Sequence, residues 1–178
     1  ICNPTGSLSV TIREEIRLPN GNMEQSINTE VIKDVNQIMK RTDTIAPTFS
    51  GSGIEILKFV DSEEQQTAGS FVRDTVKYMR FTNLCSTNFV SLYLIQDSPE
   101  AQNPNTSNVG SGDESLFKLD AGKSMVFSNA QFQGTDYYDY VVEGYVDIQY
   151  FSSFASLSSI KAKADTANVQ IEYFVASS

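Results

Sequence analysis

Leu8-Ser9-Val10-Thr11-Ile12-Arg13 alternates apolar and polar residues, and Ile16 and Leu18 resume the series after Glu14. A period of two sends successive side chains to opposite faces of an extended chain, the mark of a half-buried strand. Pro19-Asn20-Gly21-Asn22 comes directly after. Asn and Gly accept positive φ at little cost, so this tetrapeptide predicts a hairpin turn. The returning strand is expected within Met23 to Asp34.

The same period runs through most of the remaining chain. Strands are expected over Ile54 to Val60, Ser70 to Asp74, Val76 to Asn83, Asn88 to Gln96 and Ser115 to Asp120. Further strands are expected over Ser124 to Asn129, Tyr140 to Phe151, Ser159 to Ala164 and Asn168 to Ala176. Clusters of Gly, Asn, Asp and Ser separate most of them. Val31 to Arg41 is ambiguous, because Val31, Ile32, Val35, Ile38 and Met39 approach helical spacing. The β-branched residues around it favour a strand. Short strands with regular turn signals predict a single all-β domain over residues 1–178. Its expected architecture is an antiparallel β-sandwich, jelly-roll-like, with helix in under about a tenth of the chain. Residues 1–6 read as an extended N-terminal arm and 97–113 as a long surface loop. The expected core takes Phe59, Phe81, Leu92, Leu94, Phe127, Ile148 and Ile171.

The chain of 178 residues holds 22 acids against 13 bases, a net charge of -9. Such a surface repels phosphate backbones, and the densest basic stretch, Lys33 with Lys40 and Arg41, is too sparse for a nucleic-acid groove. No apolar run approaches the roughly 20 residues that cross a bilayer as a helix. Neither a nucleic acid nor a membrane is an expected partner. The start, Ile1-Cys2-Asn3-Pro4, has neither the basic nor the apolar region of a signal peptide, and with Ile1 in place of an initiator Met the expectation is that residues were removed by processing or are not included in this stretch. Cys2 and Cys85 are read as free thiols, with a bridge between them as the alternative.

The sequence contains no histidine. That removes the commonest general base and metal ligand, and with them Ser-His-Asp, Cys-His and zinc-site arrangements. No phosphate-cradling glycine loop is present either. A carboxylate pair of the glycosidase kind stays open but has no signature spacing. Asp61, Glu63 and Glu64 in one loop, and Asp136 with Asp139 in another, could offer oxygens to calcium. Without a DxDxDG-type loop they read as solvated acids. The expectation is a non-enzyme with no cofactor and no metal.

Tyr137, Tyr138 and Tyr140 form the candidate interface. Alternation puts Tyr138 and Tyr140 on one face and Tyr137 with Asp139 on the other, so at least one ring is exposed whichever face is buried. Tyrosine suits surfaces that are dry at one end and wet at the other. The same rings could stack on sugars, which makes a carbohydrate-binding module the alternative from another class. The arm 1–6 is a second candidate contact.

Several stretches together resemble small structural proteins of marine tailed bacteriophages. They are Val76-Lys77-Tyr78-Met79-Arg80-Phe81-Thr82-Asn83, then Thr87-Asn88-Phe89-Val90-Ser91-Leu92, then Phe117-Lys118-Leu119-Asp120-Ala121-Gly122-Lys123-Ser124. The last is Ile160-Lys161-Ala162-Lys163-Ala164-Asp165-Thr166-Ala167, running into Val169-Gln170-Ile171-Glu172-Tyr173. The resemblance covers Ile54 to Ser178. It implies antiparallel strands in which Ala-Gly-Lys and Asp-Thr-Ala are hairpin turns. It also implies a virion component, on the particle exterior as a capsid decoration or cement protein, or attached to the tail or fibre. The expected partners are the major capsid protein or other virion proteins, and the exposed tyrosines point to further copies in a homo-oligomer. The resemblance carries no site residues.

Overall fold

The computed structural model describes residues 6–47, 53–96, 114–128 and 157–178. The opening alternation becomes two strands, β1 (Gly6–Arg17) and β2 (Met23–Val35), joined by the expected turn. Val31 to Arg41 is extended, as its β-branched content favours, but it is not one strand. It spans the end of β2 and the start of β3 (Gln37–Ile45). The remaining strands are β4 (Ile54–Val60), β5 (Ser70–Val72), β6 (Val76–Asn83), β7 (Val90–Gln96), β8 (Glu114–Leu119), β9 (Ser124–Ser128), β10 (Leu157–Ala164) and β11 (Val169–Ser177). Two three-residue turns of 3₁₀ helix, Glu63–Gln65 and Arg73–Thr75, are the helical pieces among the described residues. The expected strand over Tyr140 to Phe151 lies outside the described residues.

Two sheets form the body. One has the order β3-β11-β6-β9 and the other β5-β4-β10-β7-β8. Their pairing is nested. The outermost strands of the body pair first, β3 with β11, then β4 with β10, β6 with β9, and β7 with β8, all antiparallel. The fold is an all-β sandwich. Two expectations are corrected. Strand β5 runs parallel to β4, with Phe59 opposite Phe71, so the sandwich is not wholly antiparallel. The Ala121-Gly122-Lys123 and Asp165-Thr166-Ala167 turns are not hairpin turns. Each carries the chain from the five-stranded sheet to the four-stranded one, β8 to β9 and β10 to β11.

The core lies between the sheets and draws on both. Phe59, Phe81, Leu92, Leu94, Phe127 and Ile171 are all buried, as alternation predicts, while Ile148 lies outside the described residues. Burying each such side chain stabilises the fold by about 1.5–3 kcal/mol. Phe81 stacks on Tyr173 at 6.4 Å and meets Phe127 edge-on at 6.3 Å. The buried Asn83 at the end of β6 pins a corner between the sheets. Its amide donates to the carbonyls of Asn88 (2.9 Å) and Leu119 (3.0 Å), and its oxygen accepts from the Cys85 N–H (2.9 Å). Gly53 enters β4 at φ +90°, and a Cβ there would collide with the Ala162 carbonyl, so the β4–β10 approach requires glycine.

Candidate assembly interface

The β1–β2 ribbon is paired from Gly6 with Val35 to Arg17 with Met23 and forms a sheet of its own. Gly21 turns it at φ +84°, and the Leu18 N–H donates to the Asn22 carbonyl at 2.9 Å. Its base is seated on the outer face of the four-stranded sheet. There Ile32 and Val35 are buried with Tyr78 and Ala176, and Leu8, Val10 and Phe174 pack against them. Polar contacts fix the same junction. Ser128 Oγ donates to Glu30 Oε2 at 2.7 Å, and Lys77 Nζ donates to the carbonyls of Lys33 (3.0 Å) and Asp34 (3.2 Å). Asp34 takes φ 59°, the left-handed region that short polar side chains tolerate best, where the chain leaves the ribbon for β3.

Beyond this junction the ribbon loses its support. Ile12, Ile16, Leu18, Met23 and Ile27 are each 45–62% exposed, and Val31, on the side of the junction turned away from the sheet, is 55% exposed. From Val10 to the turn the ribbon extends roughly 30 Å, at about 3.3 Å per residue. The register assigns every side chain to a face. One face carries Ile12 opposite Asn28, Glu14 opposite Ser26 and Ile16 opposite Glu24. The other carries Val31 opposite Ser9, Ile27 opposite Arg13, Gln25 opposite Glu15 and Met23 opposite Arg17. Both faces therefore present apolar side chains. A two-stranded ribbon is marginal alone in water, and clustered exposed apolar residues on a soluble protein mark contact surfaces.

The charges on the ribbon are sorted too. The first face holds Glu14, Glu24 and Glu30 and no base, whereas the second holds Arg13, Arg17 and Lys33 against Glu15. Glu15 bridges both arginines, at 2.6 Å to Arg17 and 3.4 Å to Arg13. Thr11 and Thr29 share a hydroxyl hydrogen bond of 3.0 Å on that side.

The sequence-predicted interface, Tyr137, Tyr138 and Tyr140 with Asp136 and Asp139, lies outside the described residues. So do residues 1–5 of the expected N-terminal arm, while Gly6 already belongs to β1. Alternation alone does not reveal the ribbon as a site, because the same period marks a half-buried strand. A signal is nevertheless present: the turn fixes the register, and in that register Met23, Ile27 and Val31 of β2 fall opposite Arg17, Arg13 and Ser9 of β1.

Other features of the body are committed to structure. Asp61 pairs with Arg73 at 3.0 Å. Glu172 holds Arg80 (2.7 Å) and Lys40 (3.0 Å) on the outer face of the four-stranded sheet, and the Lys40 contact in particular keeps its carboxyl below the usual range. The Tyr173 hydroxyl donates to Asp43 at 2.6 Å, and Asp43 also accepts from Arg41 at 2.9 Å. Cys85 is a free, half-buried thiol whose Sγ accepts the Asn88 N–H at 3.4 Å. Hydrogen bonds from the Thr87 and Asn88 backbone lower its pKa.

An open cleft of about 540 Å³ lies between Gln37–Met39 and Glu63–Phe71. Its Gln66 amide is already spent on the Ser70 carbonyl (3.1 Å) and Gln37 (3.4 Å). Phe71 is 1% exposed and offers no ring face for stacking.

Sandwich and ribbon together define an all-β protein with a projecting arm that exposes apolar side chains. No protein-family model, curated protein or solved structure matches the chain.

Proposed function

We propose that this chain is a non-enzymatic structural protein of a bacteriophage particle, a decoration or cement subunit on the outside of the capsid. The observation that carries the reading is the anchored arm, which presents six large apolar residues to solvent from a fixed base. Such a surface is costly to a free protein and useful to one that joins a repeating assembly. Many weak, identical contacts on a lattice multiply into tight attachment.

We infer further that the sandwich is a jelly roll. The nested pairing of eight strands, first with last and so inward, supports it. Jelly rolls serve both viral capsids and lectins. The arm favours the first use; the tyrosines that the second would employ lie outside the described residues. The partners are the major capsid protein and neighbouring copies of the chain.

Quantitative mass spectrometry of purified phage particles tests the reading. Many copies per particle, in fixed ratio to the major capsid protein, support it. Absence from particles overturns it, and immunogold labelling on tails alone moves the protein to the tail or fibre. Saturable binding on a glycan array without particle association would favour the lectin class.

A further inference from the structure

The arm's two faces complement each other. The first offers Ile12, Ile16 and Leu18 with Glu14 and Glu24; the second offers Met23, Ile27 and Val31 with Arg13 and Arg17. We infer that the arms of neighbouring copies stack, the acidic face of one on the basic face of the next. The inference rests on the reading of the protein as an assembly component and names what the arm binds: a second copy of this chain.

Three observations support a second copy over an unrelated partner. Sheets stack face to face about 10 Å apart through interdigitated apolar side chains, and each face of the arm supplies three of them. The first face carries acids alone, whereas the second carries Arg13, Arg17 and Lys33 against Glu15, which bridges the two arginines, so its net charge stays positive and unlike faces attract. An arm flanked on both sides hides all six exposed apolar residues, which one partner on one face does not. The contact uses two different surfaces of one element and is therefore heterologous. It propagates into rings or open rows of subunits.

Among the described residues, the body offers a rival recipient. The outer face of the five-stranded sheet carries Lys118, Lys161 and Lys163 with Tyr93 and the 60% exposed Leu116. Lys118 is paired with Asp120 at 2.9 Å, and Glu55 stands opposite Lys161.

Charge reversal with complementation distinguishes the two. One variant reverses the acidic face, Glu14→Arg with Glu24→Arg; a second reverses the basic face, Arg13→Glu with Arg17→Glu. Circular dichroism and thermal melting verify that each folds, as exposed positions allow. In sedimentation velocity and light scattering at about 100 μM, a regime that reports micromolar affinities, the unmodified chain is expected to form species larger than a dimer. Each variant alone should associate at least about tenfold more weakly. An equal mixture of the two should recover association, because the reversed faces fit each other. A monomeric unmodified chain, variants that associate normally, or a mixture that recovers nothing would each overturn the inference. So would loss of association in Lys118→Glu with Lys161→Glu and Lys163→Glu, which would assign the contact to the five-stranded sheet. Self-association without particle binding would contradict the virion reading and leave this inference standing. Particle binding by a strict monomer would do the reverse.

Discussion

Arg13 and Glu14 adjoin in the chain and leave the arm in opposite directions, Arg13 beside Ile27 on one face and Glu14 beside Ser26 on the other. This single step of the period-two pattern sorts the arm into a basic and an acidic side. It also makes the apolar residues between them sensitive tests of what the arm does.

Replacing Ile12, Ile16 and Ile27 together by Ser should leave the melting temperature nearly unchanged. All three are at least half exposed, and exposed substitutions usually change stability by less than about 0.5 kcal/mol each. Oligomers detected by light scattering should disappear. A marked fall in melting temperature would mean that these residues are covered within the folded monomer.

Ile32→Ala attacks the seat of the arm. Ile32 is 3% exposed and packs with Tyr78 and Ala176 in a cluster separate from the main core. The expected cost is about 2 kcal/mol, at the low end for such truncations, because the cluster is small. Native-state hydrogen exchange should show β1 and β2 opening while β6 and β11 keep their protection. Equal loss of protection in all four strands would make the arm part of one cooperative unit.

Phe81→Ala, by contrast, removes a side chain packed between Tyr173 and Phe127 in the main core. Denaturant titration should register a loss of about 3–5 kcal/mol, distributed over the whole sandwich.

Strand bounds are legible in the sequence because local pattern decides them: Ile54–Val60 and Val76–Asn83 stand where alternation puts them, with Phe59 and Phe81 inward. Strand partners are not legible. Asp120-Ala121-Gly122-Lys123 reads as the same tight turn whether β9 pairs with β8 or with β6, and only the long-range match of Phe81 with Met125 decides. The arm is half legible. Its hairpin follows from Asn20-Gly21, but its exposure depends on which surface of the sheet its base meets, and that is set by Tyr78 and Phe174, far along the chain. In the sequence Tyr78 is one residue of a strand, and nothing local marks it as part of an outward-facing cluster.

Tyr173 predicts an alkaline limit to stability. Burial, then the hydrogen bond to Asp43, raises its pKa well above the ordinary value of 10.0. A raised folded-state pKa means that the contribution is fully present below pH 10 and declines as the pH climbs past that value. Thermal melts from pH 8 to 11.5 should therefore fall at the upper end for the unmodified chain. The fall should be shallower in Tyr173→Phe, which has no hydroxyl to ionise. Equal slopes for the two proteins would assign the alkaline loss to other groups.

The most direct measurement is co-sedimentation of purified chain with phage particles stripped of it, comparing the unmodified protein with the Ile12, Ile16 and Ile27 to Ser variant. The account predicts saturable pelleting of the unmodified chain and retention of the variant in the supernatant, with matching circular dichroism spectra. Equal pelleting of both, or of neither, would contradict the claim that the projecting arm attaches this sandwich to its assembly.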